Sequence, residues 1–200
     1  MQIFLTKSPN LKEGLIMNKK VFLITGKSAN GKGAFADALE EVLNLHNKTV
    51  MRIAYADYLK FILQKYFHWN GEKDKRGREL LQRVGTNLIR AKHPNYWVDT
   101  ASNLIRSIES EFDYVIIDDV RFVNEVECFT PDESYTIRVE RYNSDGSHYI
   151  NPIMTPEQLA HESETSLDDY PYYDYIVENR EGLYELSQSA FKIAEDIIHD

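Results

Sequence analysis

The chain has 200 residues, 42% hydrophobic and 12% aromatic, which suits one domain with a sizeable core. Its formal charge of −9 argues against a nucleic-acid binder held by the phosphate backbone, because such surfaces need clustered Lys and Arg; an anionic ligand must be met by a local basic site. No apolar run reaches the roughly 18 residues of a membrane span, and a single cysteine, Cys128, cannot form an internal disulfide, so a cytoplasmic protein without membrane or nucleic-acid partners is expected.

The opening MQIFLTKSPNLKEG lacks the long apolar region of a signal peptide, and Met17 stands directly before NKKVFLITG. Residues 1–20 therefore read as an N-terminal extension or a misjudged start, and residues 21–200 as a single domain. VFLIT is apolar and β-rich, the pattern of a buried parallel strand, and the Gly-rich turn after it opens into a helix, GAFADALEEVLNLHN. Phe35, Leu39, Val42 and Leu43 share one face of that helix.

TVMRIAY is a second strand, and Asp57 is expected to cap the helix DYLKFILQKYF. After a polar turn at 69–74, helical segments follow over 76–92 and 95–110, divided at Pro94. YVIID is the third strand, SYTIRVER the fourth and YDYIVEN the fifth, before an amphipathic C-terminal helix over 181–198. Strands alternating with helices predict an α/β fold, a mostly parallel five-stranded sheet covered on both faces. Its chemistry should gather at the carboxyl ends of the strands, after Thr25, Tyr55, Asp119 and Arg141.

Gly26, Gly31 and Lys32 in GKSANGKGAFADAL match G-x-x-x-x-G-K after a strand and before a helix, the context that gives this motif meaning. The glycines let backbone N–H groups turn inward on phosphates, the helix N-terminus adds partial positive charge, and Lys32 reaches the β- and γ-phosphates. The bland alternative is a Gly-rich turn with a surface lysine. Gly33 stands where a hydroxyl usually meets Mg²⁺, so Mg²⁺ would need water and another carboxylate.

YVIIDDVRFVNE ends a buried strand with two carboxylates and an arginine. One of Asp118 and Asp119 is expected to cap the helix near Phe122 and the other to hold a Mg²⁺ water shell, while Arg121 meets a substrate phosphate. The segment from Lys73 to Lys92 is the strongly basic part of an acidic chain. Arg83 and Arg90, seven residues apart, lie two turns apart on a continuous helix and can face one cleft, whereas Lys73, Lys75 and Lys92 read as solvated. Trp97 either stacks on a base or belongs to the core.

In this order, GKSANGKG, YADYLK, ELLQRVGTNLIR with PNYW, IIDDVRFVNE and HESETSLDDYPYYDYIVEN resemble the deoxynucleoside monophosphate kinases of phages and prophages, from Val21 to the C-terminal helix. The resemblance implies the P-loop kinase fold and transfer of the ATP γ-phosphoryl group to a deoxynucleoside monophosphate, with ATP and Mg²⁺ as cofactors. It implies ATP contacts from Gly26, Lys27, Ala29, Asn30, Gly31, Lys32, Gly33 and Ala34, with Arg138 and Asn179 beside them; capping of the last helix is an equal reading for Asn179. It assigns Asp57, Lys60, Arg83, Arg90, Trp97, Arg121 and Glu125 to the monophosphate side, with Glu125 paired to Arg121, and Asp119 to Mg²⁺ through water. Lys32, Arg121 and Arg141 form the implied catalytic set.

The resemblance further implies a helical monophosphate-binding region over 57–98 and a lid over 142–165, in which His161 reads as a structural residue. No Arg or Lys lies between Tyr142 and Asn179, a departure from arginine-rich lids. Two alternatives stay open: a P-loop kinase of another small molecule, such as a coenzyme precursor, sugar acid or alcohol, and a nucleotide-binding regulatory protein without turnover. The partners expected are small-molecule nucleotides; the oligomeric state is open, with a homodimer among the options.

Overall fold

Five consecutive buried residues, Val21–Thr25, form β1 at the centre of the sheet. The computed structural model describes residues 20–199, so the expected extension falls outside the described residues except for Lys20. β2 (Val50–Ile53), β3 (Tyr114–Val120), β4 (Ser134–Arg141) and β5 (Tyr175–Asn179) complete one five-stranded sheet in the order β2-β3-β1-β4-β5. Every pairing is parallel.

The helices are α1 (Lys32–Leu45), α2 (Asp57–Phe67), α3 (Lys75–Leu81), α4 (Tyr96–Ile108), α5 (Val123–Glu127), α6 (Pro156–Leu159), α7 (Glu162–Thr165) and α8 (Leu183–His199). Among the described residues, no helix is long and apolar enough to cross a membrane. Successive residues of β1 point to opposite faces, which splits the core in two. Phe22 and Ile24 pack with Phe35, Leu39 and Leu43 of α1 and with Leu186 and Ala190 of α8. Val21 and Leu23 pack with Leu59 and Leu63 of α2 and with Trp97 and Ile105 of α4.

Two local departures from the sequence pattern shape the site. β2 stops at Ile53, because the amides that follow are drawn off by carboxylates: Ala54 N–H donates to Asp57 at 2.8 Å, and Tyr55 and Ala56 N–H donate to Asp119 at 2.8 and 3.0 Å. Asp57 therefore does not cap α2; Ala56 occupies that position, and the Asp57 carboxylate reaches backward. Beyond α3, residues Gln82–Arg90 continue as a π-helix. Its wider i→i+5 bonding is visible where Ala91 N–H donates to Thr86 O at 3.0 Å.

At Gly26 the chain turns out of β1 with φ +142°, and a Cβ there would lie 2.2 Å from the carbonyl oxygen of Val139 in β4. Gly26→Ala should therefore lower stability by roughly 2–5 kcal/mol, combining backbone strain with overpacking. Urea unfolding measures this, and an unchanged midpoint would contradict the stated packing.

Candidate active site

The loop between β1 and α1 wraps a space open to the N-terminus of α1. Gly31 precedes the helix at φ +103° and no side chain caps it, so the first-turn N–H groups are available to an anion. The Lys32 ammonium folds back across the loop, donating to the carbonyls of Gly26 at 2.8 Å and Lys27 at 2.9 Å. Burial, then the nearby Arg121 guanidinium, holds its pKa well below the ordinary lysine value.

The rest of the loop is braced from behind. Asn30 donates to Val139 O at 3.3 Å, and Asn179 donates to Asn30 O at 2.9 Å while accepting from Gly182 N–H at 3.0 Å. Asn179 thus ties the loop to the turn before α8 and is buried there. Arg141 donates to Ala29 O at 3.2 Å, with its guanidinium over the Tyr149 ring. Gly33 is exposed and Ala34 half-buried on the first turn of α1, where neither supplies a hydroxyl.

A cavity of about 180 Å³ opens beside the loop, between the sheet edge and the helices from α2 to α4. Lys60, Lys73, Arg78, Asp119 and Arg121 line its polar side, and Leu81, Trp97, Phe122 and Met154 its apolar side. Trp97 is 3% exposed and donates from its indole nitrogen to Gly85 O at 3.0 Å, so it is a fixed wall. Asp57 does not line this cavity; it holds Lys60 in an ion pair of 2.7 Å.

Arg90 and Glu125 form a buried ion pair under the cavity, with side chains 10% and 3% exposed. Arg90 also donates to Asn124 at 3.1 Å and lies 3.8 Å from the centre of the Phe122 ring. Glu125 does not pair with the Arg121 guanidinium: its carboxylate accepts from the backbone N–H groups of Arg121 at 2.7 Å and Phe122 at 3.1 Å and pairs with Arg90. Burial pushes its pKa up to about 7, against the opposing pull of Arg90. Arg83 is exposed and does not line the cavity. Seven residues make about two turns of an α-helix but fewer of a π-helix, so Arg83 and Arg90 no longer share a face.

The two aspartates near the end of β3 also differ from expectation. Asp118 binds Arg52 of β2, at 2.6 and 3.1 Å, and Asp119 holds the β2–α2 turn; neither caps α5, and the amides just before it, of Arg121 and Phe122, go to Glu125. Each Asp119 oxygen accepts one amide hydrogen, which leaves further lone pairs facing the cavity. Burial raises its pKa. Among the described residues, no three His, Cys, Asp or Glu side chains gather as a metal site.

The segment over 142–165 lies across this edge, and a second cavity of about 390 Å³ lies between it and the loop, lined by Lys27, Ser28, Arg138 and Tyr149 among others. Arg138 pairs with Glu140 at 2.7 Å and donates to Leu167 O at 2.9 Å. His161 caps α7, accepting from Ser163 N–H at 3.2 Å. Glu164 of α7 lines both cavities. Its carboxylate, 7% exposed, accepts from Ser28 N–H in the loop at 3.0 Å and from the Arg121 guanidinium at 2.8 Å. Lys27 completes the contact, donating to Glu164 O and pairing with Asp168.

Sequence reasoning does not single out Ser28, Arg78 or Glu164, and Lys73, expected to be solvated, is exposed yet lines the cavity. The basic run from Lys73 to Lys92 contained a signal for Lys73 and Arg78. Nothing in the sequence pointed to a carboxylate seated where phosphate is expected.

A comparison with curated protein sequences gives no match. Among solved structures, an unliganded sugar kinase from Janibacter sp. HTCC2649 is similar at a TM-score of 0.50, over 90% of this chain and 95% of its own, with 11% identity; that is a likeness of fold. The sequence profile described as deoxynucleotide monophosphate kinase matches residues 15–189. Since the loop, the cavities and the segment above them all fall within that match, the chain belongs to the deoxynucleotide monophosphate kinase family.

Proposed function

We propose that the protein transfers the γ-phosphoryl group of ATP to the phosphate of a deoxynucleoside monophosphate, giving the diphosphate. The observation that carries this reading is the seat of Glu164, whose carboxylate is held by an N–H of the phosphate loop and by Arg121, where two cavities meet. A carboxylate bound by a loop amide and a guanidinium stands in for phosphate oxygens. In this reading ATP displaces it from Ser28, and the acceptor phosphate takes Arg121.

The acceptor sits in the cavity lined by Lys60 and Lys73, its base against Trp97, over the floor held by Arg90 and Glu125. Asp57 acts through Lys60. ATP lies along Gly26–Gly33, with Lys32 on its outer phosphates and Arg138 and Arg141 flanking the loop, under a lid over 142–165. An acceptor phosphate oxygen attacks the γ-phosphorus in line. A phosphate monoester has a second pKa of about 6, so the acceptor is ionised and no general base is required. Mg²⁺, held through water by Asp119, would neutralise charge on the donor phosphates; one cleft carboxylate with free lone pairs fits an ion that keeps most of its waters. Lid closure excludes water from the transfer.

Incubation with Mg-ATP and each deoxynucleoside or ribonucleoside monophosphate should give a diphosphate from at least one deoxynucleotide. Lys32→Ala should reduce the rate at least about 100-fold. Absence of diphosphate with every acceptor, in protein that binds ATP, contradicts the reading.

Removing the stand-in carboxylate frees the loop. Glu164→Ala should bind a non-hydrolysable ATP analogue about tenfold more tightly, which corresponds to about 1.4 kcal/mol. Calorimetry that finds equal or weaker binding would contradict the displacement.

Lys32 also sets a pH dependence. Its pKa is lowered in the free protein, and a bound triphosphate draws it back up, so ATP affinity falls as pH rises through the free-protein value. Titration calorimetry in alkaline buffers of differing ionisation enthalpy should detect proton uptake on binding. Lys32→Met should abolish that uptake, and equal uptake in both proteins would rule out Lys32 as its source.

A further inference from the structure

A lid with no Arg or Lys between Tyr142 and Asn179 leaves a need unmet, because charge on a moving phosphoryl group requires cations aimed at it. Arg78, on α3 at the acceptor side, points to where that need arises. Its Nη1 donates to Ser28 Oγ in the phosphate loop at 3.0 Å, and its side chain lines the acceptor cavity beside Lys60, Asp119 and Arg121. Its Nε is buried and has no hydrogen-bond partner, and Arg78 forms no ion pair among the described residues. A buried guanidinium N–H without an acceptor is costly to maintain and marks a place for one.

The way α3 is held supports the same conclusion. Asp74 caps its first turn, accepting from Gly77 N–H at 2.7 Å. Gln158 of α6 donates to Lys75 O at 3.2 Å, and Gln82 donates to Gln158 O at 3.3 Å, so α3 is stitched to the lid. Asn151 donates to the same Ser28 Oγ that Arg78 contacts, at 3.0 Å. Arg78 and the lid thus meet on the same loop hydroxyl, with α3 tied to α6 of the lid behind them.

We infer that Arg78 is the arginine that contacts the phosphoryl group in flight, delivered by the acceptor-binding helix in place of a lid arginine. This rests on the kinase reading above. In the step, the bond from the acceptor oxygen to the γ-phosphorus forms, and the bond from that phosphorus to the β–γ bridging oxygen breaks. ADP leaves with the electron pair. Arg78 stays protonated throughout and donates its Nε and Nη hydrogens to γ-phosphoryl oxygens as a planar fork.

The test compares single-turnover rates and nucleotide affinities for the wild type, Arg78→Ala, Arg78→Lys and Arg76→Ala, an exposed neighbour on α3 that serves as control. Arg78→Ala should lose about 100- to 1,000-fold in rate while binding both nucleotides within a few-fold of the wild type. Added guanidinium should restore part of that loss in Arg78→Ala and none in Lys32→Ala; Arg78→Lys keeps the charge without the fork and should recover only partly. Circular dichroism and the thermal midpoint establish that each variant is folded.

Arg78→Ala turning over within about threefold of an active wild type would overturn the inference and leave the kinase reading standing. A loss confined to nucleotide affinity, without guanidinium rescue, would also overturn it, making Arg78 a brace for Ser28. No diphosphate from the wild type itself would remove both.

Discussion

An acidic chain has gathered positive charge at one edge of its sheet, and that concentration governs the rest of the structure. Lys32, Lys60, Lys73, Arg78 and Arg121 come from α1, α2, the turn before α3, α3 and the end of β3. Burial lowers the pKa values of both Lys32 and Lys73, and neighbouring cations add to it, Arg121 acting on both and Lys60 on Lys73. Such a cluster calls for an anion. The protein supplies one from itself, the Glu164 carboxylate, held between Ser28 N–H and Arg121.

The two sides of the cleft are built differently. The floor is buried and tightly tied: Trp97 is fixed to Gly85 O, and Arg90 with Glu125 is enclosed by Phe122 and backbone amides. Breaking such a buried pair from one side is expensive, so this floor keeps its shape. The segment over the loop is held largely by polar contacts instead, from Asn151, Gln158, Glu164 and Lys27. Contacts of that kind open at lower free energy than a packed core, which in the proposed reading suits a lid that admits and releases nucleotides.

Much of this was legible in the sequence, for identifiable reasons. VFLIT before G-x-x-x-x-G-K specified β1, the glycine-rich loop and α1, because an apolar run and fixed glycine spacing leave few other structures. The expected apolar face of α1 is the buried one. The parallel sheet followed from strands alternating with helices. Side-chain partners were harder to read. Glu125 lies one helical turn from Arg121, but tertiary packing gives it Arg90, and Asp118 is claimed by Arg52 on a neighbouring strand. Arg83 does not share a face with Arg90 because the backbone there bonds i→i+5, and periodicity alone does not reveal that change.

The most direct measurement is a crystal structure with a bisubstrate analogue, adenosine joined to a deoxynucleoside through a polyphosphate chain. The account predicts a chain running from the loop amides past Lys32, Arg78 and Arg121 into the cavity walled by Trp97, with Glu164 displaced from Ser28. A complex in which Glu164 keeps its hold on Ser28 and Arg121 while the phosphates lie elsewhere would contradict it.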